Sequence, residues 1–201
     1  MTPARQVRAV FDDATITVYQ AYSAAIAIPA AANNSFNGTP FKLDRMTWIK
    51  PSFLWMMYRS GWATKPGQEY VLAIKITRTR FEEALSQACL SHFDPDVYPD
   101  HASWEERKRT SSVRVQWDPE RNLALEPLPW RSLQVGLSGA AAHDYVNRWT
   151  VHIDDITPHV HDIHEHIASG RSDIGRTELP PEQPYPIPHN LARIIGATAG
   201  K

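Results

Sequence analysis

The sequence predicts an α+β fold: a small mixed or antiparallel sheet flanked by helices, in a single compact domain with a proline-rich C-terminal tail. Segments with alternating apolar residues recur along the chain, helical patterns separate them, and no unit repeats at a regular spacing. The length of 201 residues suits one domain that buries its own core. We therefore assign residues 1–178 to the domain and residues 179–201 to an extension that packs on the domain or trails from it.

The N-terminal part is expected to begin with a strand and a helix. Residues 6–11 alternate between apolar and polar side chains, which predicts a short strand. Asp12 or Asp13 is placed to cap the following helix, because an aspartate side chain accepts backbone N–H groups at a helix start. Pro29 is expected to end this helix, and residues 30–40 are predicted to form a loop.

The segment from Arg45 to Trp62 combines aromatic and basic side chains at high density. Residues 46–50 predict a brief extended segment. Pro51 suits the first turn of a helix over residues 52–60, because its missing N–H would be unpaired there in any case. Gly61 is expected to stop the helix, since glycine adopts the left-handed conformation at low cost.

Residues 70–78 predict a strand, because leucine and isoleucine alternate with polar residues. A helix is expected over residues 80–90. It contains Cys89, the only cysteine, whose apolar neighbours predict a buried structural thiol. Residues 91–110 are predicted to form a loop with a short helix near Trp104.

The second half is expected to contribute two strands, over residues 113–117 and 132–137, and a turn over residues 118–122. Residues 139–149 show a helical pattern. Another helix is predicted to open at Thr157, because a proline follows directly and suits the first helical turn.

Charge and hydropathy narrow the possible functions. The formal net charge of -1 argues against a basic coat that binds nucleic acid everywhere, but it leaves room for a local basic patch. No signal-peptide pattern follows the first residues, and no run of about 18 apolar residues, the length of a membrane span, occurs. The prediction is a cytoplasmic protein without a membrane partner.

Five segments are similar to a known family: residues 7–13, 18–23, 48–62, 113–121 and 131–134. The longest reads Trp48-Ile-Lys-Pro-Ser-Phe-Leu-Trp-Met-Met-Tyr-Arg-Ser-Gly-Trp62 and makes the match specific. By these segments the chain resembles the family catalogued as domain of unknown function 4291, over nearly its whole length. The resemblance implies a compact domain of about this size and little about activity.

The polar and aromatic side chains of these segments are candidates for a nucleotide site, in which cations hold phosphates and rings stack on bases. The predicted cofactor-binding residues are Arg8, Tyr19, Trp48, Lys50, Ser52, Tyr58, Arg59 and Trp62. The predicted substrate-binding residues are Trp117, Arg131 and Gln134. The alternative is a buried polar network that only fixes the fold.

Gln116, Asp118 and Glu120 are the predicted catalytic residues. ADP-ribosyltransferases commonly place a glutamine or glutamate two residues before a catalytic carboxylate on a late strand, and the chain has this spacing. The layout departs from those enzymes, because it lacks their Ser-Thr-Ser strand and has aspartate in place of glutamate. Asp118 is expected to continue the strand alternation of Arg114 and Gln116, whereas Glu120 is expected in a solvated turn.

These residues lead to three hypotheses. The first is a nucleotide-using transferase resembling ADP-ribosyltransferases, with NAD as co-substrate and a nucleic acid or nucleotide as acceptor. The second is a non-catalytic module that binds a nucleotide or single-stranded nucleic acid through the same face. The third is a structural partner protein, which requires four tryptophans to be buried with no cleft beside them: Trp48, Trp55, Trp62 and Trp117.

Several histidines lie between residues 159 and 166. The three-residue spacing of His161 and His164 would suit a metal site. However, Val160 and Ile163 form the apolar stripe of the same predicted helix. The histidines are therefore expected on its solvated face, and no metal is assigned.

Overall fold

The computed structural model describes residues 2–198 of the chain. The strands, in chain order, are β1 (Arg8–Ala9), β2 (Thr15–Tyr22), β3 (Thr47–Ile49), β4 (Tyr70–Thr77), β5 (Cys89–Leu90), β6 (Val113–Arg121), β7 (Pro127–Leu137), β8 (Thr150–Asp155) and β9 (Gln183–Pro184). The α-helices are α1 (Ala24–Asn33), α2 (Phe53–Ser60), α3 (Arg78–Ser86), α4 (His101–Thr110), α5 (Gly139–Asp144), α6 (Thr157–Ala168), α7 (Ser172–Thr177) and α8 (His189–Ile194). A π-helical turn (Tyr145–Trp149) continues α5.

The strands form three small sheets, so the predicted α+β class is confirmed while the single predicted sheet is not. One sheet is antiparallel with the order β2-β4-β8. The second has the order β3-β7-β6-β5 and is mixed, because β5 runs parallel to β6. The third pairs β1 with β9. The two larger sheets meet where Tyr19 of β2 donates its N–H to the carbonyl of Lys50 over 2.7 Å and accepts the N–H of Lys50 over 3.3 Å.

Strand β2 occupies the place of the predicted first helix. Residues 16–20 are all buried, so both faces of the strand are apolar or internally bonded, and the alternation of residues 15–18 does not continue through Tyr19 and Gln20. Its β-branched and aromatic residues favour an extended backbone. Asp12 caps a turn instead of a helix: its Oδ1 accepts the N–H groups of Ala14 and Thr15 over 2.9 and 2.7 Å.

Helix α1 therefore starts later than predicted and contains Pro29 in its interior. Proline removes one helical hydrogen bond and normally ends a helix, and the prediction that Pro29 does so is wrong. The helix continues to Asn33. Asn34 caps the C-terminus of the helix in the left-handed conformation, with φ 52°.

Strand β6 runs four residues past the predicted end of the strand, to Arg121. The predicted turn over residues 118–122 is wrong, because the chain reverses at Asn122, whose N–H donates to Glu126 O over 3.0 Å. Pro119 is accommodated at an irregularity in the pairing of β6 with β7. Asp118 and Glu120 consequently lie on a strand.

Cys89 is buried, as predicted, but it lies in β5 and not in a helix, because α3 already ends at Ser86. Other predicted elements are confirmed by α2, β3, β4, α4 and α6, with end points within a few residues of those expected. No helix within residues 2–198 is long and apolar enough to cross a membrane.

Residues 179–198 are packed against the rest of the chain. Strand β9 pairs with β1, and the side chains of Tyr185, Leu191 and Ile195 are buried in the main apolar cluster. The indole N–H of Trp117 donates to Ile195 O over 2.7 Å. The division of the chain after residue 178 stays a prediction.

Candidate anion-binding groove

The segment from β3 to α2 is fixed at both of its ends by local signals. Ser52 caps α2, since its Oγ accepts the N–H of Trp55 over 3.2 Å. Gly61 ends the helix with φ 60°, as predicted. The strand, the turn at Pro51 and the helix thus hold Lys50 and Arg59 on one wall of a cavity.

This cavity has a volume of about 160 Å³ and lies between β2, β3 and α2. Its polar lining residues include Gln20, Arg45, Thr47, Lys50, Arg59 and Gln68. A second cavity of about 160 Å³ shares Tyr22, Arg45 and Thr47 with the first and adds Lys42. We call the two cavities together the cationic groove.

The groove carries an excess of positive charge. Lys42, Arg45 and Arg59 are exposed along it, and no acidic side chain of the described residues lines either cavity. None of these three cations takes part in an ion pair within residues 2–198. Unpaired cations on concave surfaces attract anions, so the groove is suited to phosphate groups.

Lys50 differs from the other cations because its side chain is buried, with 7% of the residue exposed. Its Nζ donates to Trp48 O over 3.2 Å. Burial lowers the pKa of Lys50 to about 7; the charge of Arg59 acts in the same direction and that of Asp118 opposes it. The Lys50 side chain is consequently an amine that changes its charge near neutral pH.

Asp118 acts on Lys50 through its charge and is held by two glutamines. Its Oδ1 accepts from Gln116 Nε2 over 2.8 Å, and its Oδ2 accepts from Gln134 Nε2 over 2.5 Å. Gln116 and Gln134 are directly opposite each other on β6 and β7. Arg114, expected beside Asp118, instead donates to Lys108 O over 2.9 Å, and the charge of Asp118 acts on Lys50.

A buried hydrogen-bond network supports the floor of the groove. The hydroxyl of Tyr145 donates to Gln20 Oε1 over 2.7 Å, and Gln20 Nε2 donates to Thr47 Oγ1 over 2.7 Å. Both Gln20 and Arg45 were missed among the candidate residues. Gln20 would have been found by reading residues 15–22 as a strand, since it then lies near Lys50.

A family model described as domain of unknown function (DUF4291) matches residues 6–185. The chain belongs to the DUF4291 family. A comparison with curated proteins found no match. All of the groove residues lie inside the matched range, so the cationic groove is part of the DUF4291 domain as it occurs in this chain.

Three aromatic residues of the predicted site are buried away from the groove of this DUF4291 domain. Tyr19 packs edge-on against Phe53. Trp62 stacks on the ring of His164 at 5.3 Å between centroids. Trp117 is buried and bonded to the C-terminal segment.

Two other predicted aromatic residues differ in their access to ligands. Trp48 is half-buried and lines the first cavity, so the hypothesis that every tryptophan is plain core fails at this position. Tyr58 stacks on Trp55 at 5.1 Å, and the guanidinium of Arg121 lies 3.6 Å from its ring centroid. Its ring is therefore occupied by side chains of the same domain.

Two predicted basic residues serve the fold. Arg8 donates to the carbonyl of Glu182 over 3.1 Å and to Gln6 Oε1 over 3.3 Å. Arg131 donates to Trp117 O over 3.0 Å. Neither lines the groove, whereas Lys50 and Arg59 line its first cavity together and Asp118 acts on Lys50 from outside the lining.

A second polar cluster lies at the start of α2. Glu120 is 7% exposed, which corrects its expected place in a solvated turn, because it accepts from Ser52 Oγ over 2.9 Å. Glu182, which the sequence did not single out, accepts the N–H of Phe53 over 2.6 Å. Burial raises the pKa of both carboxyl groups, and the neighbouring Glu120 helps to raise the pKa of Glu182 to about 8.

The histidines of α6 do not share one environment. His161 is exposed, as expected, whereas His164 is half-buried against Trp62 and His166 lies 3.5 Å from Glu178 Oε1. Within residues 2–198 no three side chains of histidine, cysteine, aspartate or glutamate are arranged to hold a metal ion.

Proposed function

We propose that this protein is a nucleotide-using transferase resembling ADP-ribosyltransferases, which binds the phosphates of NAD in the cationic groove and modifies a nucleic acid or nucleotide. The observation that carries the proposal is the combination of unpaired cations at Arg45 and Arg59 with a fixed carboxylate at Asp118. Each cavity of about 160 Å³ has room for phosphate groups, while the rest of the dinucleotide would extend past Trp48.

The proposed role of Asp118 is electrostatic. When nicotinamide leaves, positive charge develops on the ribose, and a carboxylate that is already oriented stabilises this charge without reorganisation. Gln116 and Gln134 supply that orientation, because each holds one of the two carboxylate oxygens. Lys50, as a group that titrates near pH 7, has a separate role argued below.

The same two hydrogen bonds favour a second candidate, a non-catalytic module that binds a nucleotide or single-stranded nucleic acid. Because both oxygens of Asp118 already accept a glutamine N–H, the carboxylate has less capacity left for a substrate. In this case Arg45, Lys50 and Arg59 would carry the binding, and Asp118 would only stabilise the strands behind them.

Nicotinamide release distinguishes the two candidates. The purified protein, incubated with NAD and pooled RNA, DNA and protein as acceptors, is expected to release nicotinamide above the rate without protein, measured by chromatography. Heat-denatured protein is the control. Absence of release with every acceptor, together with binding of NAD, would leave the binding module as the better description.

Replacing Arg59 by alanine is expected to weaken the binding of AMP about tenfold, the scale of one charged hydrogen bond. The measurement is titration calorimetry at two salt concentrations, because a lost phosphate contact also lowers the salt dependence. Arg80→Ala is the matched control, since Arg80 is an exposed arginine paired with Glu83 on α3. Equal affinities of the two variants would exclude Arg59 from the phosphate site.

A further inference from the structure

We propose that Lys50 is a nucleophilic amine, which forms an imine with the open-chain aldehyde of a phosphorylated sugar bound in the cationic groove. The choice of a phosphate-bearing sugar rests on the proposed function. The reaction joins the Nζ lone pair to the aldehyde carbon, and the carbonyl oxygen then leaves as water with the two amine protons. The product is a carbon–nitrogen double bond, and no oxidant or reductant is consumed.

The first support is the place of Lys50 in the cavity. The side chain is buried, lines the cavity wall and has one hydrogen-bond acceptor, the carbonyl of Trp48 at 3.2 Å. It forms no ion pair with any carboxylate of the described residues. A buried ammonium ion is normally paired, whereas a neutral amine is satisfied by few partners.

The second support is that Asp118, the carboxylate that acts on the pKa of Lys50, is already engaged. Asp118 accepts from Gln116 on one oxygen and from Gln134 on the other. If Lys50 only stabilised the fold, its ammonium group would be expected to donate to one of these two carboxylate oxygens. A charge-assisted hydrogen bond of this kind is stronger than one from an amide. The strands instead orient neutral donors toward Asp118, and Lys50 lines the cavity with its Nζ bonded to the carbonyl of Trp48.

The charged and titratable groups around Lys50 act together on its protonation. Arg59 of α2 and burial disfavour the ammonium form, and Asp118 of β6 partly offsets them. Arg45, before β3, and Tyr22 of β2 line the same cavity. A desolvated lysine beside another cation is the usual setting of an imine-forming lysine, because the free amine is then present at neutral pH.

The third support is the ligand that the surroundings of Lys50 would hold. Arg45 and Arg59 line the same cavity of about 160 Å³ as Lys50. Because the three residues line this one small cavity, a sugar whose phosphate contacts either guanidinium would place its carbon chain in the cavity that Lys50 lines. Guanidinium groups recognise phosphate through paired hydrogen bonds, so the groove would select phosphorylated aldehydes over neutral ones.

Trapping with a reductant tests the inference. The full chain is incubated with ribose 5-phosphate and sodium cyanoborohydride at pH 7, and the modified peptides are quantified by mass spectrometry. We expect the adduct on Lys50 to exceed that on Lys75, an exposed lysine of β4, by about tenfold or more, because the lowered pKa of Lys50 supplies free amine at pH 7 and the groove holds the sugar phosphate beside it. Unphosphorylated ribose should give little Lys50 adduct.

The pH profile provides a readout that accessibility alone would not produce. The Lys50 adduct should rise through about pH 7 and then level off, and the Lys75 adduct in the same samples serves as the reference for accessibility. Lys50→Met should remove the adduct. Its fold is checked by circular dichroism, and the wild-type peptide ratio keeps the test valid if this variant does not fold.

The outcomes separate this inference from the proposed function. If AMP binds and Lys50 is modified no faster than Lys75, the imine is excluded and the phosphate site remains. If Lys50 is modified selectively but neither AMP binding nor nicotinamide release occurs, the nucleophilic amine is supported and the proposed function fails. If all three signals are missing, both proposals are overturned.

Discussion

Asp118→Asn is expected to lower the turnover of NAD by roughly a hundredfold, the scale of losing one preorganised electrostatic stabiliser. Asparagine has the same shape and removes the negative charge. The amides of Gln116 and Gln134 can each turn to present an oxygen or a nitrogen, so both hydrogen bonds at this position can be kept. The melting temperature should therefore change little while the activity falls.

Glu120→Gln is the matched variant for this experiment. Glu120 is buried at the start of α2, where it accepts from Ser52 Oγ and the N–H of Arg121, and unlike Asp118 it is not among the charges that act on Lys50. Its replacement should leave turnover within a few-fold of wild type and should mainly change stability. Nicotinamide release at the wild-type rate by the Asp118→Asn protein would remove Asp118 from the catalytic residues and favour the binding module.

Glu182→Gln is expected to stabilise the protein at and above pH 8, by on the order of 2–4 kcal/mol. Glu182 accepts the N–H of Phe53 beside Glu120, and its pKa rises from 4.5 to about 8 on folding. Glutamine keeps the acceptor oxygen and adds N–H donors toward the neighbouring carboxylate. It therefore resembles protonated glutamic acid at every pH.

The direction of the pH effect follows from the raised pKa. The folded state holds the Glu182 proton more tightly than the unfolded chain, so the stability from this proton is complete below pH 4.5 and is lost as the pH rises to about 8. The Glu182→Gln protein keeps this stability as the pH rises, because its side chain is neutral at every pH of the experiment. The difference in melting temperature should be small near pH 4 and reach about 5–10 °C above pH 8.

Thermal unfolding of both proteins between pH 4 and pH 9 measures this difference. Glu105→Gln, a change at an exposed glutamate of α4, is the control and should not produce a pH-dependent offset. A constant difference between the wild type and Glu182→Gln across the whole pH range would mean that Glu182 is already ionised in the folded protein.

The parts of the fold that the sequence predicts well are those with local signals. Helix α2 has its cap at Ser52 and its stop at Gly61, so its limits could be read from adjacent residues. Strand β4 has one buried row of side chains and alternates accordingly. Strand β2 is buried on both faces and alternates only over residues 15–18, and the helical spacing of Ile16, Tyr19, Ser23 and Ile26 predicted a helix instead.

The candidate site, like the fold, could be predicted only where its residues carry local signals in the sequence. Lys50 and Arg59 belong to one dense segment, and β-strand alternation related Asp118 to Gln116. Glu182 had no local signal, because the N–H that it accepts belongs to Phe53, 129 residues earlier. Glu120 was misplaced because Asp118-Pro119 resembles a turn, whereas β6 absorbs the proline at an irregularity in its pairing.

The pairing of β1 with β9 also governs how this chain must fold as it is synthesised. Arg5 exchanges hydrogen bonds with Thr198 over 3.1 and 2.8 Å, and Ile195 fills the core beside Trp117. A nascent chain still attached to the ribosome before residue 183 lacks the partner of its first strand and leaves apolar surface uncovered. The first strand therefore stays unpaired until residues 183–198 have been synthesised, and the incomplete chain presents the kind of surface that chaperones bind.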